Sequence, residues 1–300
     1  MHCWPTAVLH FRSSGITQTG FFNTASIRIG GKLLGEISNF ESVTAGDENS
    51  AIRLDCAIDS DALVVSFAAI PGEDGRAAFA FVRLLSVLPA KRAFFRDPQV
   101  QLYQGGLPGV GNTTAEIAEY IKRLCIREKI KRVIMLGNSV GGYAAILFGI
   151  LTNAHEVHAI APRTRFVDGS DVVNARNLEM LFRLAGKGNP TLDLRELHLK
   201  EKPRTKIYLY YPTRNRLDKI HALHMEGLPG VTLAGYPFSG HTLARYLVKS
   251  ETLKNILEAS LIGRDDLVRE TIRRSIVRSW FSGGGISFLT DRMLKLVGKR

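Results

Sequence analysis

Five consecutive residues, Gly137-Asn138-Ser139-Val140-Gly141, carry the clearest chemical potential in the chain. A serine with glycine two residues to either side can stand on a sharp, strained turn with no neighbouring side chains to crowd its hydroxyl. An apolar run, Val133 to Leu136, leads into the pentapeptide, and a helix-forming stretch, Tyr143-Ala144-Ala145-Ile146-Leu147-Phe148, leaves it. On such a strand-to-helix turn the helix aims its positive N-terminus, and the backbone N–H of Val140, at an oxyanion developing beside Ser139. Nucleophilic attack on an acyl carbon is the chemistry this arrangement suits. The same residues also suit a plainer role, a glycine-rich turn that packs closely or holds a phosphate, and the context of the motif has to separate the two.

The elements that would position the serine read as an α/β chain with a mostly parallel sheet of about eight strands. Ser26–Ile29 and Ala51–Cys56 alternate apolar and polar residues, which predicts antiparallel strands at a sheet edge. Later runs are more continuously apolar and predict buried strands: Ala62–Phe67, Lys91–Phe95, Arg132–Leu136, Val157–Ile160, Ile207–Tyr211 and Val231–Gly235. Ahead of the fifth of the eight, Thr113 and Glu116 form a capping box, and Ile117, Tyr120, Ile121 and Leu124 follow at helical spacing. Arg163 to Thr205 is a long insert with its own helical stretch and a Gly-Lys-Gly-Asn-Pro turn, which predicts a small lid.

With the serine turn after its fifth strand, the chain resembles an α/β-hydrolase over roughly residues 50 to 260. The resemblance implies a three-layer sandwich, an acid after the seventh strand and a histidine after the eighth. Asp218 follows Tyr211-Pro212, and His241 follows in Ser239-Gly240-His241, in the Ser, Asp, His order this fold imposes. The implied activity is cleavage of an ester or related acyl bond through an acyl-serine, with no cofactor and no metal. His241 would take the serine proton and return it to the leaving group, and Asp218 would hold the imidazole tautomer. His221 and His224 compete for the base, and Asp168 and Asp171 for the acid. The loop after the third strand, Ser66-Phe67-Ala68-Ala69-Ile70-Pro71-Gly72, lacks the His-Gly pair common in the family, so a second oxyanion donor must come from the backbone of Ala68 or Ala69. An incomplete oxyanion hole would make the chain a weak or inactive binding or accessory protein, linked to surface-glycan assembly. Arg96-Asp97-Pro98 through Gly105–Gly109, with Gly141-Gly142-Tyr143-Ala144-Ala145, also resembles poorly characterised bacterial hydrolase-like proteins, which brings no substrate with it.

Composition narrows the rest. Of 300 residues, 45% are hydrophobic and 23% charged, which excludes disordered, collagen-like and disulfide-scaffold chains. Cys3, Cys56 and Cys125 form no CxxC pair, so neither a disulfide framework nor a zinc knuckle is expected. No leader and no run long enough to span a bilayer is visible, and a reducing cytoplasm is the expected compartment. Forty basic residues against 28 acidic give a net charge of +12, yet the first sixty residues carry only four basic and six acidic. Part of the excess falls at strand ends, on Arg96, Arg163, Arg165, Arg214 and Arg216, which could clamp a carboxylate, phosphate or sulfate on the substrate or pair with local acids. Another part lies in residues 264 to 300, with nine basic and four acidic residues. There Val268, Ile272, Ile276 and Trp280 share one helix face and Arg269, Arg273, Arg274 and Arg278 the other. The expected organisation is therefore a hydrolase-like domain over 1–262 and a basic helical extension over 263–300. That extension docks on its own domain or, through 265–300, meets an anionic membrane or a protein partner. Aromatic residues do not interleave with the basic ones, so nucleic acid is not expected as a partner.

Overall fold

The computed structural model describes residues 8–11, 25–29, 32–37, 50–69, 78–166, 191–238, 240 and 242–281. The chain divides into two compact units, Met1–Thr44 and Ala45–Arg300. The first holds a three-stranded antiparallel sheet in the order β1 (Val8–Phe11), β2 (Ala25–Ile29), β3 (Lys32–Ile37). Its β2–β3 pairing shifts register between Ser26 and Arg28. The strand expected near Ser26 therefore exists, but it pairs within this separate sheet and is no edge of the main one. The division falls after Thr44, and the described residues beyond 262, up to 281, belong to the second unit.

That unit is built on a seven-stranded sheet. In chain order its strands are β4 (Ile52–Asp55), β5 (Ala62–Phe67), β6 (Lys91–Phe95), β7 (Arg132–Asn138), β8 (Glu156–Ile160), β9 (Lys206–Pro212) and β10 (Val231–Tyr236). In space they run β10-β9-β8-β7-β5-β6-β4, all parallel except β4, which pairs antiparallel with β6 through Ile52↔Phe95 and Asp55↔Arg92. The apolar runs explain the arrangement. Every residue of β5 and β8 is buried, as strands covered on both faces require.

Helices supply that cover, giving three layers. On one face Val64, Ile134, Leu136, Tyr208 and Tyr236 pack with α1 (Val82–Leu85), α6 (Leu243–Lys249), α7 (Thr252–Leu261) and α8 (Asp265–Phe281). On the other lie α2 (Thr114–Arg127) and α3 (Val140–Thr152), where Phe67 stacks between Phe95 and Phe148 at 5.4 and 5.3 Å. Burying one such side chain contributes about 1.5–3 kcal/mol. The capping box forms with a twist. Thr113 accepts from the Glu116 N–H at 3.2 Å, but the Glu116 carboxylate reaches back to the Asn112 N–H at 2.8 Å, one residue beyond the usual partner.

Helix α8 docks on its own unit. Val268 and Ile272 are buried in the core, Ile276 packs against it, and the Tyr236 hydroxyl meets Ser275 Oγ at 2.6 Å. Arg269, Arg273, Arg274 and Arg278 are exposed, so the expected two-faced pattern holds as far as Ile276, but Trp280, expected on the apolar face, is 45% exposed in the last turn; residues 282–300 lie outside the described residues. Among the described residues no helix is long and apolar enough to cross a membrane.

Candidate active site at the carboxyl edge of the sheet

Strand β7 ends at Asn138 and α3 begins at Val140, leaving Ser139 alone on the turn with φ 56° and ψ −119°. A positive φ at a residue with a Cβ costs about 1–3 kcal/mol and persists only where its surroundings fix it. Here the Ser139 N–H donates to the Ile160 carbonyl at the end of β8 (2.9 Å), and the Ser139 carbonyl accepts from the Tyr143 N–H (3.0 Å). The flanking glycines are sterically obligatory. A Cβ on Gly137 would lie 2.0 Å from the Gly141 carbonyl oxygen, and one on Gly141 would lie 2.2 Å from that of Phe67. Strand, turn and helix thus close on one another without room for a side chain. Val140 is the first residue of α3, so its N–H is one of the donors that a helix cannot satisfy internally. Asn138 Oδ1 is buried beside the turn with no hydrogen-bond partner among the described residues.

The neighbouring loop leaves β5 through Ala68 and Ala69. The Ala68 N–H donates to the Phe95 carbonyl at 2.9 Å, extending the β5–β6 pairing by one residue. That removes Ala68 from the two expected oxyanion donors and leaves Ala69, which is half-buried. Residues 70–77 lie outside the described residues. A feature with no counterpart in the expected site packs beneath this loop. The Asp97 carboxylate accepts the N–H groups of Gln99 (3.2 Å), Gln101 (2.6 Å) and Tyr103 (2.9 Å), and the buried Tyr103 hydroxyl donates to the Ala68 carbonyl at 2.9 Å. In the sequence the segment from Arg96-Asp97-Pro98 to Gly109 carries a resemblance, with no signal for this hydrogen-bond arrangement.

Asp218 stands in the first turn of α5 (Arg216–His224), whose N-cap Asn215 accepts from the Asp218 N–H at 3.1 Å. Its side chain is 1% exposed, and Arg163 Nη1 lies 3.4 Å from Oδ1. His241 lies outside the described residues, as do Asp168 and Asp171. The chain leading to His241 is nevertheless tied to the chain leading to Asp218. Thr213 N–H donates to the Tyr236 carbonyl (2.8 Å) and Arg214 N–H to the Phe238 carbonyl (3.1 Å), and α6 begins two residues after His241.

The two competing histidines have structural work. His221 is buried, and its Nδ1 accepts from the Thr164 N–H at 3.2 Å, which leaves the proton on Nε2 when the ring is neutral. His224 spans Thr164 Oγ1 and Asp193 Oδ2, both at 3.1 Å. Together they anchor the two described ends of the insert, which also meet in a bridge between Arg165 and Asp193 and continue into α4 (Leu194–Glu201). Residues 167–190, the body of the expected lid, lie outside the described residues.

The five arginines separate. Arg163 faces Asp218, Arg165 is half-buried in the bridge to Asp193, Arg214 precedes the α5 cap, and Arg216 is exposed at the start of α5. Arg96 is engaged by the fold, with Nε donating to the Ser50 carbonyl at 2.7 Å and the guanidinium 4.6 Å from the Phe79 ring centroid. Among the described residues no group of three or more His, Cys, Asp or Glu is placed to hold a metal ion.

At the level of sequence, neither a protein-family profile nor a curated protein matches the chain. In structure it is similar to the capsule O-acetyltransferase of Neisseria meningitidis serogroup A, at 14% identity and a TM-score of 0.51, covering 79% of this chain and 97% of that one. It is also similar to a glycosylation-associated protein complex from Streptococcus agalactiae, at 16% identity and a TM-score of 0.51, over 71% of this chain but only 45% of the other. A carboxylesterase from Bacillus subtilis aligns at 13% identity with a TM-score of 0.46, over 86% of this chain and 92% of that one. The strand order, the serine turn between β7 and α3 and the likenesses to the Neisseria and Streptococcus structures agree on the architecture, and the chain has an α/β-hydrolase-like fold.

Proposed function

We propose that the chain is a serine hydrolase that cleaves an ester or related acyl bond through an acyl-serine on Ser139. The observation that carries this reading is the conformation of Ser139. A residue with a Cβ is held at φ 56° on a turn whose glycines cannot be replaced without collision, at the N-terminus of a helix whose first N–H groups have no intrahelical acceptor. A turn that merely reversed the chain would relieve that strain with a glycine at 139.

In the proposed reaction His241 removes the Ser139 proton as Oγ bonds to the acyl carbon, and the N–H groups of Val140 and Ala69 hold the resulting oxyanion. Collapse breaks the bond to the leaving alcohol, which takes the proton back from His241. Water then repeats the sequence and frees the acid. Asp218, buried on the adjacent helix, holds the imidazolium. Arg163, Arg214 and Arg216 sit at the same edge, which supports an anionic substrate. The acyl group can also leave to a sugar hydroxyl in place of water, and the likeness to a capsule O-acetyltransferase supports including an oligosaccharide acceptor in any assay. Free cysteines at 56 and 125 suit a reducing compartment, in keeping with a cytoplasmic protein.

The test is turnover of a panel of short and long p-nitrophenyl esters by the wild-type chain and by Ser139→Ala. The reading requires turnover that the substitution abolishes while thermal stability is kept. A second reading, a non-catalytic accessory protein of glycan assembly, draws support from the commitment of the Ala68 N–H to the sheet. It requires that wild type and Ser139→Ala be equally inert.

A further inference from the structure

We infer that Tyr103 is a positioning residue for the oxyanion hole: its hydroxyl fixes the Ala68–Ala69 peptide so that the Ala69 N–H faces the reacting acyl group. This deepens the acyl-serine reading and rests on it.

The Ala68 residue is held at both of its backbone polar groups. Its N–H is donated to Phe95 at 2.9 Å, and its carbonyl accepts the Tyr103 hydroxyl at 2.9 Å, with the Phe95 carbonyl 3.3 Å from the same hydroxyl. A trans peptide is planar, with C=O and N–H antiparallel. Fixing the direction of the Ala68 carbonyl therefore fixes the Ala69 N–H in the opposite direction, away from the buried phenol. The same carbonyl lies against the first turn of α3, since a Cβ on Gly141 would sit 2.9 Å from it. The two proposed donors, Ala69 and Val140, are thereby referred to one frame.

What holds Tyr103 is itself unusual. Val100, Leu102 and Tyr103 all have positive φ, at 54°, 54° and 60°. Three such residues in four are sustained by the Asp97 carboxylate, which accepts the N–H of Tyr103 and of two residues before it. The Tyr103 ring is 1% exposed and meets Phe67 edge-on at 5.6 Å and Phe148 at 6.4 Å. Burial, with the nearby Asp97 charge, pushes the phenol well above its ordinary pKa, so the hydroxyl remains a donor at any working pH. Packing alone would be met by phenylalanine; the loop strain serves to deliver an oxygen-bound proton to one carbonyl.

The experiment measures the second-order rate at which a fluorophosphonate probe phosphonylates Ser139, a reaction that develops the same oxyanion and needs no knowledge of the substrate. Tyr103→Phe keeps the ring and is expected to slow labelling about 10- to 100-fold, somewhat less than outright removal of a hole donor. Its circular dichroism and unfolding should remain cooperative and native-like. Replacement of Tyr103 by 3-fluorotyrosine, a stronger donor of nearly the same shape, guards against a folding failure and should shift the rate without slowing it to the phenylalanine level. A wild-type rate in folded Tyr103→Phe, or a rate indifferent to fluorination, overturns the inference while leaving Ser139 as the nucleophile. Absence of any labelling of wild type at Ser139 overturns the acyl-serine reading itself, and this inference with it.

Discussion

Replacing Gly141 by alanine tests the link between packing and site geometry. Alanine is ordinarily the better helix residue by about 1 kcal/mol, and Gly141 lies inside α3, so propensity alone forecasts a gain. The structure forecasts the reverse. The new Cβ would lie 2.2 Å from the Phe67 carbonyl oxygen, 2.9 Å from that of Ala68 and 3.0 Å from the Ala68 carbonyl carbon, all backbone atoms at the end of a central strand. Ordinary carbon–oxygen contacts begin near about 3.3 Å, so β5 and α3 must separate by about 1 Å. Overpacking of this severity costs about 3 kcal/mol, at the upper end of the usual range, leaving a net loss of about 2 kcal/mol. For a unit of this size that lowers Tm by about 4–8 °C. The same displacement moves Ala69 relative to Val140, and a misplacement of about 1 Å can cost about 100-fold in rate. Gly109→Ala is the control, because Gly109 has φ +74° with nothing within 4 Å of its absent Cβ. It should cost about 1–2 kcal/mol from backbone strain and leave ester turnover near wild type. Differential scanning calorimetry and p-nitrophenyl ester kinetics read both quantities. A Gly141→Ala protein with raised Tm and full activity would show that the close approach of β5 and α3 is not needed.

Other outcomes follow from the same structure. Asp218→Asn removes the charge beside Arg163 and should lower kcat by about 10³- to 10⁴-fold with a smaller change in KM; a loss under tenfold would assign the acid role elsewhere. Burial lowers the pKa of His198 and His224 below the ordinary value of 6.5, for His224 despite the raising effect of Asp193. The unfolded chain therefore binds more protons than the folded one as pH falls through 6.5, so these groups make stability fall on that side. Tm should be lower at pH 5.5 than at 7.5, and His198→Gln should flatten the difference; an equal or higher Tm at pH 5.5 contradicts the assignment. Burial raises the Cys125 thiol to about 12, so it should resist iodoacetamide at pH 8 in the native protein and react only on unfolding, as peptide mass mapping would record.

The second unit was largely legible in the sequence because its signals are local. Continuous apolar runs of five or six residues mark strands buried on both faces, and a glycine-flanked serine between such a run and an alanine-rich helix marks the turn at 137–141. The separate sheet of the first unit was not legible. Val8–Phe11 is only four residues long, Lys32–Ile37 is interrupted by Gly35 and Glu36, and a strand pattern gives no indication of which sheet it joins. The role of Arg96 is open in the sequence for a related reason: a strand-end arginine looks the same there whether it meets a ligand or, as observed, a backbone carbonyl and a phenyl ring. The loss of the Ala68 N–H to Phe95 depends on one extra residue of strand pairing, which periodicity does not resolve. The segment holding Asp97 and Tyr103 carries a resemblance, but its conformation was not legible because non-glycine residues at positive φ have no propensity signature; they exist there because a carboxylate six residues away over-determines the backbone.

The central claim is that Ser139 is a nucleophile, and mass mapping of a fluorophosphonate adduct tests it most directly. One adduct per chain is expected, on the peptide containing Ser139, lost in Ser139→Ala and strongly slowed in His241→Ala. An unlabelled wild-type protein, or an adduct on another residue that survives Ser139→Ala, would contradict it.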